Sequence, residues 1–314
     1  MNVSTVTKTS KTLLAKLRWL LGPGIVCCAL TACQTPTTDN RAWAVPAGTS
    51  STMVNGYPLT YASRGVGPTV VFVHGVLVDY RYWQTPLESW TSEFRVVAPS
   101  LRHFYPEPWN GKGNDFTIRQ HARDLIALIE SMGEPVYLVG WSYGGSPAYE
   151  VARARPDLVK KLVLVEGGPD LRPALQGTAG NADQIKRAEL TAKLFDAGDM
   201  DGGLKFALDD INGPGLWDSL PEPRRQALRD NAWTVVGIGR EVVDKVSCSE
   251  FASLQMPVLL IWAERTTPRL RAIVEAEAKC LPRAQLAMIP KAGHPSPSMN
   301  PTAFRETVAA FLKR

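Results

Sequence analysis

The sequence predicts an α/β fold in which a mostly parallel β-sheet is covered by helices on both faces. Short and almost continuously apolar runs, such as residues 69–73 and 162–165, alternate with segments of helical periodicity. Strands of this composition are buried on both faces, which is typical of parallel sheets. The chain has 314 residues, of which 45% are hydrophobic and 21% charged, so it can bury a large core and is not a disordered protein.

The individual elements follow in chain order. An Asn55-Gly56 pair within residues 53–59 predicts an early hairpin, because this dipeptide favours the tight turns that join antiparallel strands. Asn300 followed by Pro301 predicts the cap and first position of a final helix. The remaining predicted strands cover 69–73, 95–98, 136–139, 162–165, 258–262 and 286–289, and the predicted helices cover 116–132, 144–154 and 269–279.

One segment interrupts the alternation of strands and helices. Residues 170–251 contain helical patterns at 182–197, 203–210 and 223–233 but no convincing strand. We therefore predict a helical cap at 170–251, inserted between two parts of one core at 52–169 and 252–314. Three aromatic residues of this segment are candidates to line a pocket or to form the cap's own core: Phe206, Trp217 and Trp233.

The N-terminal 32 residues read as a secretory signal. A basic start precedes an apolar stretch that is shorter than the roughly 20 residues needed to span a bilayer. The sequence Leu30-Thr31-Ala32-Cys33 resembles the bacterial lipobox. This resemblance implies lipid modification of Cys33 and a lipid anchor in the cell envelope, with the outer membrane favoured by Gln34. Residues 33–51 are then a tether.

The net charge gives no indication of a nucleic-acid partner. The formal charge of +5 comes from 35 basic and 30 acidic residues. Four of the basic residues lie in the predicted signal, which has no acidic residue, so the remainder carries 31 basic against 30 acidic residues. A nucleic-acid-binding protein usually has a basic stripe, and none is evident here.

Two cysteines stay in the predicted mature domain. Cys27 and Cys28 lie within the predicted signal, and Cys33 is the predicted anchor. In an oxidising periplasm Cys248 and Cys280 can form a disulfide, or they can be two separate buried thiols. The sequence leaves both possibilities open.

The strongest motif is Gly140-Trp141-Ser142-Tyr143-Gly144. It follows a predicted strand and begins a predicted helix, which is the structural context of a nucleophile elbow. A sharp turn of this kind exposes the serine on a strained backbone, so small residues are needed two positions before and after it. The helix N-terminus and its backbone N–H groups favour a developing negative charge.

Three motifs together resemble the α/β-hydrolase superfamily over about residues 55–314. They are Val73-His74-Gly75-Val76, the elbow at Ser142, and Gly293-His294 near the C-terminus. The resemblance implies the α/β-hydrolase fold, with Ser142 as nucleophile and His294 as general base. It also implies an oxyanion hole formed by the backbone N–H groups of Val76 and Tyr143.

The other three histidines have weaker claims to a catalytic role. The resemblance implies a structural role for His74, at the end of a strand. His103 follows the next strand and is a candidate pocket residue, whereas His121 lies within a predicted helix and is expected to be a surface or packing residue. No pair of residues has the spacing of a common metal motif, so no metal site is expected.

The acidic member of the triad is ambiguous. In most relatives an Asp follows the seventh strand, but that position holds Thr266 here. Glu166 follows the sixth strand, where some α/β-hydrolases carry their acid, and Glu264 lies in the usual loop two residues early. We predict Glu166 as the acid, with a carboxylate oxygen within about 3.5 Å of His294. Glu264 and the absence of any acid remain the alternatives.

These residues predict a serine hydrolase that cleaves a small-molecule carboxylic ester through an acyl-enzyme. No nucleotide-binding glycine pattern is present, so no cofactor is expected. Ser142 in place of Asp argues against the alkyl-enzyme chemistry of dehalogenases and epoxide hydrolases. Carbon–carbon bond hydrolysis and cofactor-free perhydrolysis use the same scaffold and stay open. A non-catalytic binding protein is the more distant alternative.

Overall fold

The computed structural model describes residues 45–173, 182–241 and 244–314. They contain an eight-stranded sheet in the order β1-β2-β4-β3-β5-β6-β7-β8. The strands are β1 (Ser50–Val54), β2 (Tyr57–Arg64), β3 (Thr69–Val73), β4 (Arg95–Pro99), β5 (Val136–Trp141), β6 (Val159–Val165), β7 (Val258–Ala263) and β8 (Gln285–Ile289). Strand β2 pairs antiparallel with β1 and β4, and the other neighbours are parallel. The predicted α/β architecture is therefore confirmed.

The helices of the sheet layers flank these strands. They are α1 (Gln84–Ser89), α2 (Ile118–Ser131), α3 (Gly145–Ala154), α9 (Cys248–Ala252), α10 (Pro268–Cys280), α11 (Ser296–Met299) and α12 (Pro301–Lys313). Asn300 caps α12 as predicted, since its side chain accepts a hydrogen bond from the N–H of Ala303.

Side chains of one central strand alternate between two apolar layers. Val71 and Val73 of β3 belong to a cluster that includes residues of α2, α3 and α10. Val70 and Phe72 face the opposite layer, which contains residues of α1 and α12. Because neighbouring residues of a strand point to opposite faces, both faces of the sheet are covered by helices.

The first two strands form the predicted hairpin. Val54 pairs with Tyr57, so Asn55 and Gly56 are the two turn residues. Their φ angles of 48° and 75° lie in the left-handed region that this type of turn requires.

Between β6 and β7 the described residues form helices and no strand. Besides α9, these helices are α4 (Ala182–Asp196), α5 (Met200–Asn212), α6 (Leu216–Ser219), α7 (Glu222–Arg229) and α8 (Thr234–Arg240), which we call the cap. They share an apolar cluster that includes Phe195, Leu204, Trp217 and Leu228. Leu77, from the loop after β3, is buried in the same cluster, so the cap helices pack directly on that loop.

The described residues begin within the predicted tether. The predicted signal, Cys33 and most of the tether lie outside the described residues, and β1 begins at Ser50, inside the predicted tether. In the described part of the chain, no helix has the length and apolar character to cross a bilayer.

Cys248 and Cys280 form a disulfide that links α9 to the end of α10.

Strand register brings the candidate site residues to one edge of the sheet. Val73 of β3 is paired with Gly140 of β5, and Trp141 of β5 is paired with Val165 of β6. The residues that follow these strand ends therefore emerge side by side. At this carboxyl edge of parallel strands, loops converge to form binding sites.

Candidate active site

Ser142 lies at the sharp turn between β5 and α3. Its φ of 53° is unusual for a residue with a side chain, and it matches the strained elbow that the sequence predicts. The surrounding glycines explain how the turn fits. A Cβ atom on Gly140 would lie 2.6 Å from the carbonyl oxygen of Gly144, and one on Gly144 would lie 2.6 Å from that of Val73.

His294 connects Ser142 to Glu166. The Nε2 atom of His294 is 2.9 Å from Ser142 Oγ, and its Nδ1 atom is 2.7 Å from Glu166 Oε2. Because a carboxylate only accepts hydrogen bonds, Nδ1–H donates to Glu166. Nε2 is then free of a proton and accepts the hydrogen bond from the Ser142 hydroxyl. The contact between Glu166 and His294 falls within the predicted 3.5 Å.

Glu166 is almost fully buried at the end of β6 and has a left-handed φ of 45°. Its second oxygen, Oε1, accepts a hydrogen bond of 2.7 Å from the N–H of Ala263 at the end of β7. A buried carboxylate requires such partners, because an unpaired buried charge is strongly unfavourable. The next residue, Gly167, packs so tightly on the backbone of Ser142 that a Cβ atom there would overlap it.

His294 is held from its other side by the elbow itself. The indole Nε1–H of Trp141 donates a hydrogen bond of 3.0 Å to the carbonyl oxygen of His294. The Trp141 ring is stacked on Tyr82, with the two ring planes 5° apart. The loop after β8 is thereby fixed to the strand that carries Ser142.

The structure does not bring Glu264 to His294. Glu264 is exposed, and its Oε2 accepts a hydrogen bond of 2.6 Å from the backbone N–H of Lys291. Its partner is therefore the backbone of the loop after β8 and not the imidazole of His294. Thr266, at the usual position of the acid, has its hydroxyl buried without a hydrogen-bond partner among the described residues.

Two cavities include Ser142 and His294 in their walls. The larger has a volume of about 310 Å³ and also includes Val76 and Trp141. The smaller, of about 160 Å³, includes both Val76 and Tyr143, the residues whose N–H groups were predicted to form an oxyanion hole. The cap contributes six aliphatic side chains to the larger cavity: Leu208, Ile211, Leu216, Leu220, Ala227 and Leu228.

The three aromatic residues of the cap divide between pocket and core. Phe206 lines the smaller cavity. Trp217 is buried in the apolar cluster of the cap, and Trp233 packs against that cluster. Neither tryptophan is among the residues that line the two cavities next to Ser142.

A buried hydrogen-bonded chain lies behind the elbow and was missed by sequence reasoning. His121 Nδ1 is 2.9 Å from the hydroxyl oxygen of Tyr143, and its Nε2 is 3.2 Å from the carbonyl oxygen of Arg102. The Tyr143 hydroxyl is in turn 3.4 Å from Glu241 Oε2. Because the carbonyl of Arg102 can only accept, Nε2 carries the proton of His121 and Nδ1 accepts from Tyr143.

In this hydrogen-bonded chain, the protonation state of Glu241 decides whether the contact between Glu241 and Tyr143 has a donor. Tyr143 uses its only proton toward His121, so a donor is needed between Glu241 and Tyr143. A protonated Glu241 supplies it. Burial raises the pKa of Glu241 to about 7, and burial likewise lowers the pKa of His121 to about 3. No motif marks Glu241, so only the packing of the cap on the core reveals it.

The other two histidines are structural. Leu101 donates its backbone N–H to Nε2 of His74, and burial lowers the pKa of His74 to about 4. His103 does not line either cavity next to Ser142. It lies between two carboxylates, with Nδ1 2.9 Å from Glu107 Oε1 and Nε2 2.8 Å from Asp115 Oδ1.

The loop after β3 is fastened to the cap by buried hydrogen bonds. Leu77 donates its backbone N–H to the Thr234 hydroxyl at 3.1 Å. Asp79 accepts a hydrogen bond of 2.7 Å from the Asn231 amide, and it also pairs with Arg81 at 2.7 Å. The residues that follow Val76 are thus held in place by the cap.

Ser142, His294 and Glu166 are the reactive side chains that this site brings together. In residues 45–173, 182–241 and 244–314, no three His, Cys, Asp or Glu side chains are grouped closely enough to hold a metal ion. The three side chains offer a hydroxyl, an imidazole and a carboxylate in one hydrogen-bonded line, which can activate the hydroxyl as a nucleophile.

A family model described as the alpha/beta hydrolase family matches residues 70–307, which is most of the chain. The chain belongs to the alpha/beta hydrolase family. The matched range runs from β3 to α12 and includes Ser142, Glu166 and His294.

Among the relatives of this alpha/beta hydrolase are proteins of two named activities. The chain is 31% identical to the soluble epoxide hydrolase of a Corynebacterium species. The alignment of 164 residues covers 51% of this chain and 54% of that protein. The chain is 26% identical to epoxide hydrolase 3 of Mus musculus, over 82% of this chain and 75% of that one. Lipase LipV of Mycobacterium tuberculosis is 33% identical over 134 residues, 40% of this chain and 50% of the lipase. The chain thus spans about half the length of the first and third relatives.

Solved structures share the fold at lower identity. The bromoperoxidase of Bacillus anthracis superposes with a TM-score of 0.70 at 19% identity, covering 85% of this chain and all of that one. A thermophilic esterase of Thermogutta terrifontis has a TM-score of 0.66 at 21% identity, over 85% and 98% of the two chains. These similarities establish the alpha/beta hydrolase fold.

Proposed function

We propose that this alpha/beta hydrolase cleaves a carboxylic ester through an acyl-enzyme formed on Ser142. The observation that carries the proposal is the continuous hydrogen-bonded line from Ser142 through His294 to Glu166, in the wall of a largely apolar cavity. Such a line is the arrangement that activates a serine hydroxyl at neutral pH.

Each residue has a defined task in the proposed reaction. Ser142 Oγ attacks the ester carbonyl while His294 Nε2 takes its proton, and Glu166 holds the imidazole in the required tautomer and stabilises its positive charge. The backbone N–H groups of Val76 and Tyr143 bind the carbonyl oxygen as it becomes negative. His294 then donates the proton to the leaving alcohol, and a water molecule activated by the same imidazole hydrolyses the acyl-enzyme.

The larger cavity supports a substrate with a hydrocarbon group. Its volume of about 310 Å³ lies at the lower end of the range for small-molecule sites, and its aliphatic wall comes mainly from the cap. Burial of a hydrocarbon chain there contributes binding free energy, at about 25 cal/mol for each Å² of apolar surface removed from water. The lipase relative from Mycobacterium tuberculosis is consistent with an ester substrate.

Epoxide hydrolysis, the activity named for two relatives, is less compatible with Ser142 as the nucleophile. Attack of a serine oxygen on an epoxide carbon produces an ether, which water activated by His294 does not split. Attack on an ester carbonyl produces an acyl-enzyme, which that water does split. The identity of the nucleophile therefore favours acyl transfer.

Substitution of the nucleophile tests this proposal directly. Ser142→Ala is expected to lower kcat for aryl and alkyl esters by several powers of ten. It is also expected to abolish labelling by a fluorophosphonate. Ser298→Ala is the matched control, because Ser298 also lines the larger cavity and its hydroxyl is bound to the carbonyl of Pro295. Labelling that survives in Ser142→Ala but is lost in Ser298→Ala would refute the assignment.

We also propose that Cys33 carries a lipid anchor which holds the domain at a membrane facing the periplasm or the exterior. The lipobox-like sequence Leu30-Thr31-Ala32-Cys33 supports this proposal. Two or more acyl chains give stable membrane attachment, whereas a single chain gives only reversible binding.

A further inference from the structure

The two cavities next to Ser142 differ in chemistry. The larger is walled mainly by aliphatic side chains of the cap. The smaller is lined by several polar and charged side chains, including Thr191, Arg187, Asp210 and Arg269. Because both cavities share Ser142 and His294, a substrate held at the nucleophile can extend one part into each.

Arg269 is the unpaired charge of the smaller cavity. Arg187 is paired with Asp210 at 3.0 Å, and nearby Arg172 is paired with Asp170 at 2.5 Å. In the described part of the chain, no carboxylate lies within ion-pair distance of the Arg269 guanidinium. Three arginines thus face two aspartates, which leaves one uncompensated positive charge.

The surroundings of Arg269 disfavour its charge when nothing is bound. Partial desolvation lowers its pKa from the usual value. The nearby charges of Arg172 and Arg187 also lower it, whereas Asp210 and Asp170 act in the opposite direction. Arg269 is nevertheless exposed enough for a ligand to reach it. An anionic group bound beside Arg269 would offset the repulsion from the two neighbouring arginines.

We propose that Arg269 binds a carboxylate on the substrate, and this inference rests on the proposed ester hydrolysis at Ser142. The preferred substrate is then an amphiphilic ester, with a hydrocarbon group in the larger cavity and a carboxylate in the smaller one. The planar guanidinium offers two parallel hydrogen bonds to such a carboxylate. Arg269 is therefore a specificity-determining residue and takes no part in proton transfer.

Two pairs of esters test this proposal in the full chain. One pair is the octanoyl ester of glycolate and that of glycolamide, which differ only in a charge on the alcohol part. The other is monooctyl succinate and octyl succinamate, which differ in the same way on the acyl part. In at least one pair the parent is expected to show a kcat/KM about ten-fold or more higher for the carboxylate compound.

Variants assign that preference to a residue. Arg269→Gln is expected to remove the preference while kcat/KM for the amide compounds stays near the parent value, and Arg269→Lys is expected to retain part of it. Arg224 is the matched comparison, since it is an exposed arginine that lines the larger cavity. Arg224→Gln is expected to keep the preference. Equal rates within both pairs for the parent, or loss of the preference in Arg224→Gln alone, would overturn the proposal.

A binding measurement separates this proposal from the proposed function. Calorimetric titration of Ser142→Ala with the same four compounds reports carboxylate recognition without any turnover. If the parent hydrolyses no ester and no fluorophosphonate labels it, ester hydrolysis is wrong. Tighter binding of the carboxylate compounds, lost in Ser142→Ala/Arg269→Gln, would still support the role of Arg269. Equal binding of charged and neutral compounds would refute it.

Discussion

Glu166 has two hydrogen-bonding tasks at once. One oxygen accepts from His294 Nδ1–H, and the other accepts from the backbone N–H of Ala263. The first contact fixes the tautomer of the imidazole, and the second fixes the carboxylate against β7. A side chain with one methylene more than Asp reaches His294 from the end of β6 without help from the loop that holds Thr266.

We expect Glu166→Gln to lower kcat for an aryl ester by at least about a hundred-fold, because an amide can favour the wrong tautomer of His294 and does not stabilise an imidazolium. Steady-state kinetics at a fixed pH measure the effect. Glu264→Gln is the matched control and should stay near the parent rate, since Glu264 binds the backbone of Lys291. If the two variants exchange these behaviours, the acid is Glu264.

Glu241 is a second buried carboxyl with a separate consequence. Its pKa is raised to about 7 by burial, whereas an unfolded Glu titrates near 4.5. A raised pKa means that the folded protein holds a proton that the unfolded chain releases. The resulting contribution to stability is complete below pH 4.5 and is lost as the pH rises through 7.

Between pH 4.5 and 7, we expect the free energy of unfolding of the parent to fall by up to about 3 kcal/mol more than that of Glu241→Gln. Denaturant titrations of both proteins across this range measure the difference. His74 and His121 act oppositely at acid pH, because burial lowers their pKa values, but both are present in the two proteins. Glu189→Gln, at an exposed position of α4, is the control, and a Glu241→Gln curve parallel to the parent would contradict the prediction.

At the scale of elements, the disulfide fixes the point where the chain returns from the cap to the core. Cys248 begins α9, and Cys280 ends α10, which carries Arg269 near its start. The bridge closes a loop with a sequence separation of 32. This loop contains β7, so the bridge holds β7 between two anchored helices.

We expect Cys248→Ala/Cys280→Ala to lower the free energy of unfolding by roughly 3 to 4 kcal/mol, from the loop-closure entropy of a bridge of this length. Chemical denaturation of the oxidised proteins measures the change. A thiol reductant should destabilise the parent to a similar extent and leave the double variant unaffected. A double variant as stable as the oxidised parent would show that the bridge contributes nothing.

At the scale of the whole molecule, the sheet was predictable because its strands are short apolar runs bounded by Gly and Pro. Each of the six predicted core strands is present. Strand β3 has the predicted bounds, and the other five extend beyond theirs by one to three residues. Ser142 and His294 were identifiable because a strained turn and a loop after the last strand leave clear sequence signals. Their catalytic roles stay predictions, which the substitutions above test.

The cap was less predictable, because helix boundaries and packing there depend on tertiary contacts. The helices α6 and α8 were not predicted, and α5 is longer at both ends than expected. Helical periodicity indicates which residues are apolar but does not show which of them face a cavity. Glu241 and Asn231 acquire their importance only when the cap packs on the core.

The anchoring proposal also belongs to the whole molecule. Cys33→Ser is expected to release the protein from the membrane fraction or to block its maturation, because the modified thiol is lost. Cell fractionation followed by immunoblotting measures both effects. Cys248→Ala/Cys280→Ala retains Cys33 and should stay in the membrane fraction. If Cys33→Ser fractionates and migrates like the parent, there is no lipid on Cys33.

The hydrogen bonds between the loop after β3 and the cap limit how this enzyme can be re-engineered. Leu77 is bound to Thr234, and Asp79 is bound to Asn231. A chimaera that replaces the cap with that of a relative would remove Thr234 and Asn231, and would leave the N–H of Leu77 and the carboxylate of Asp79 without these partners. A donor segment has to supply equivalents of both residues, so the transplantable module is the cap together with the loop of residues 76–79.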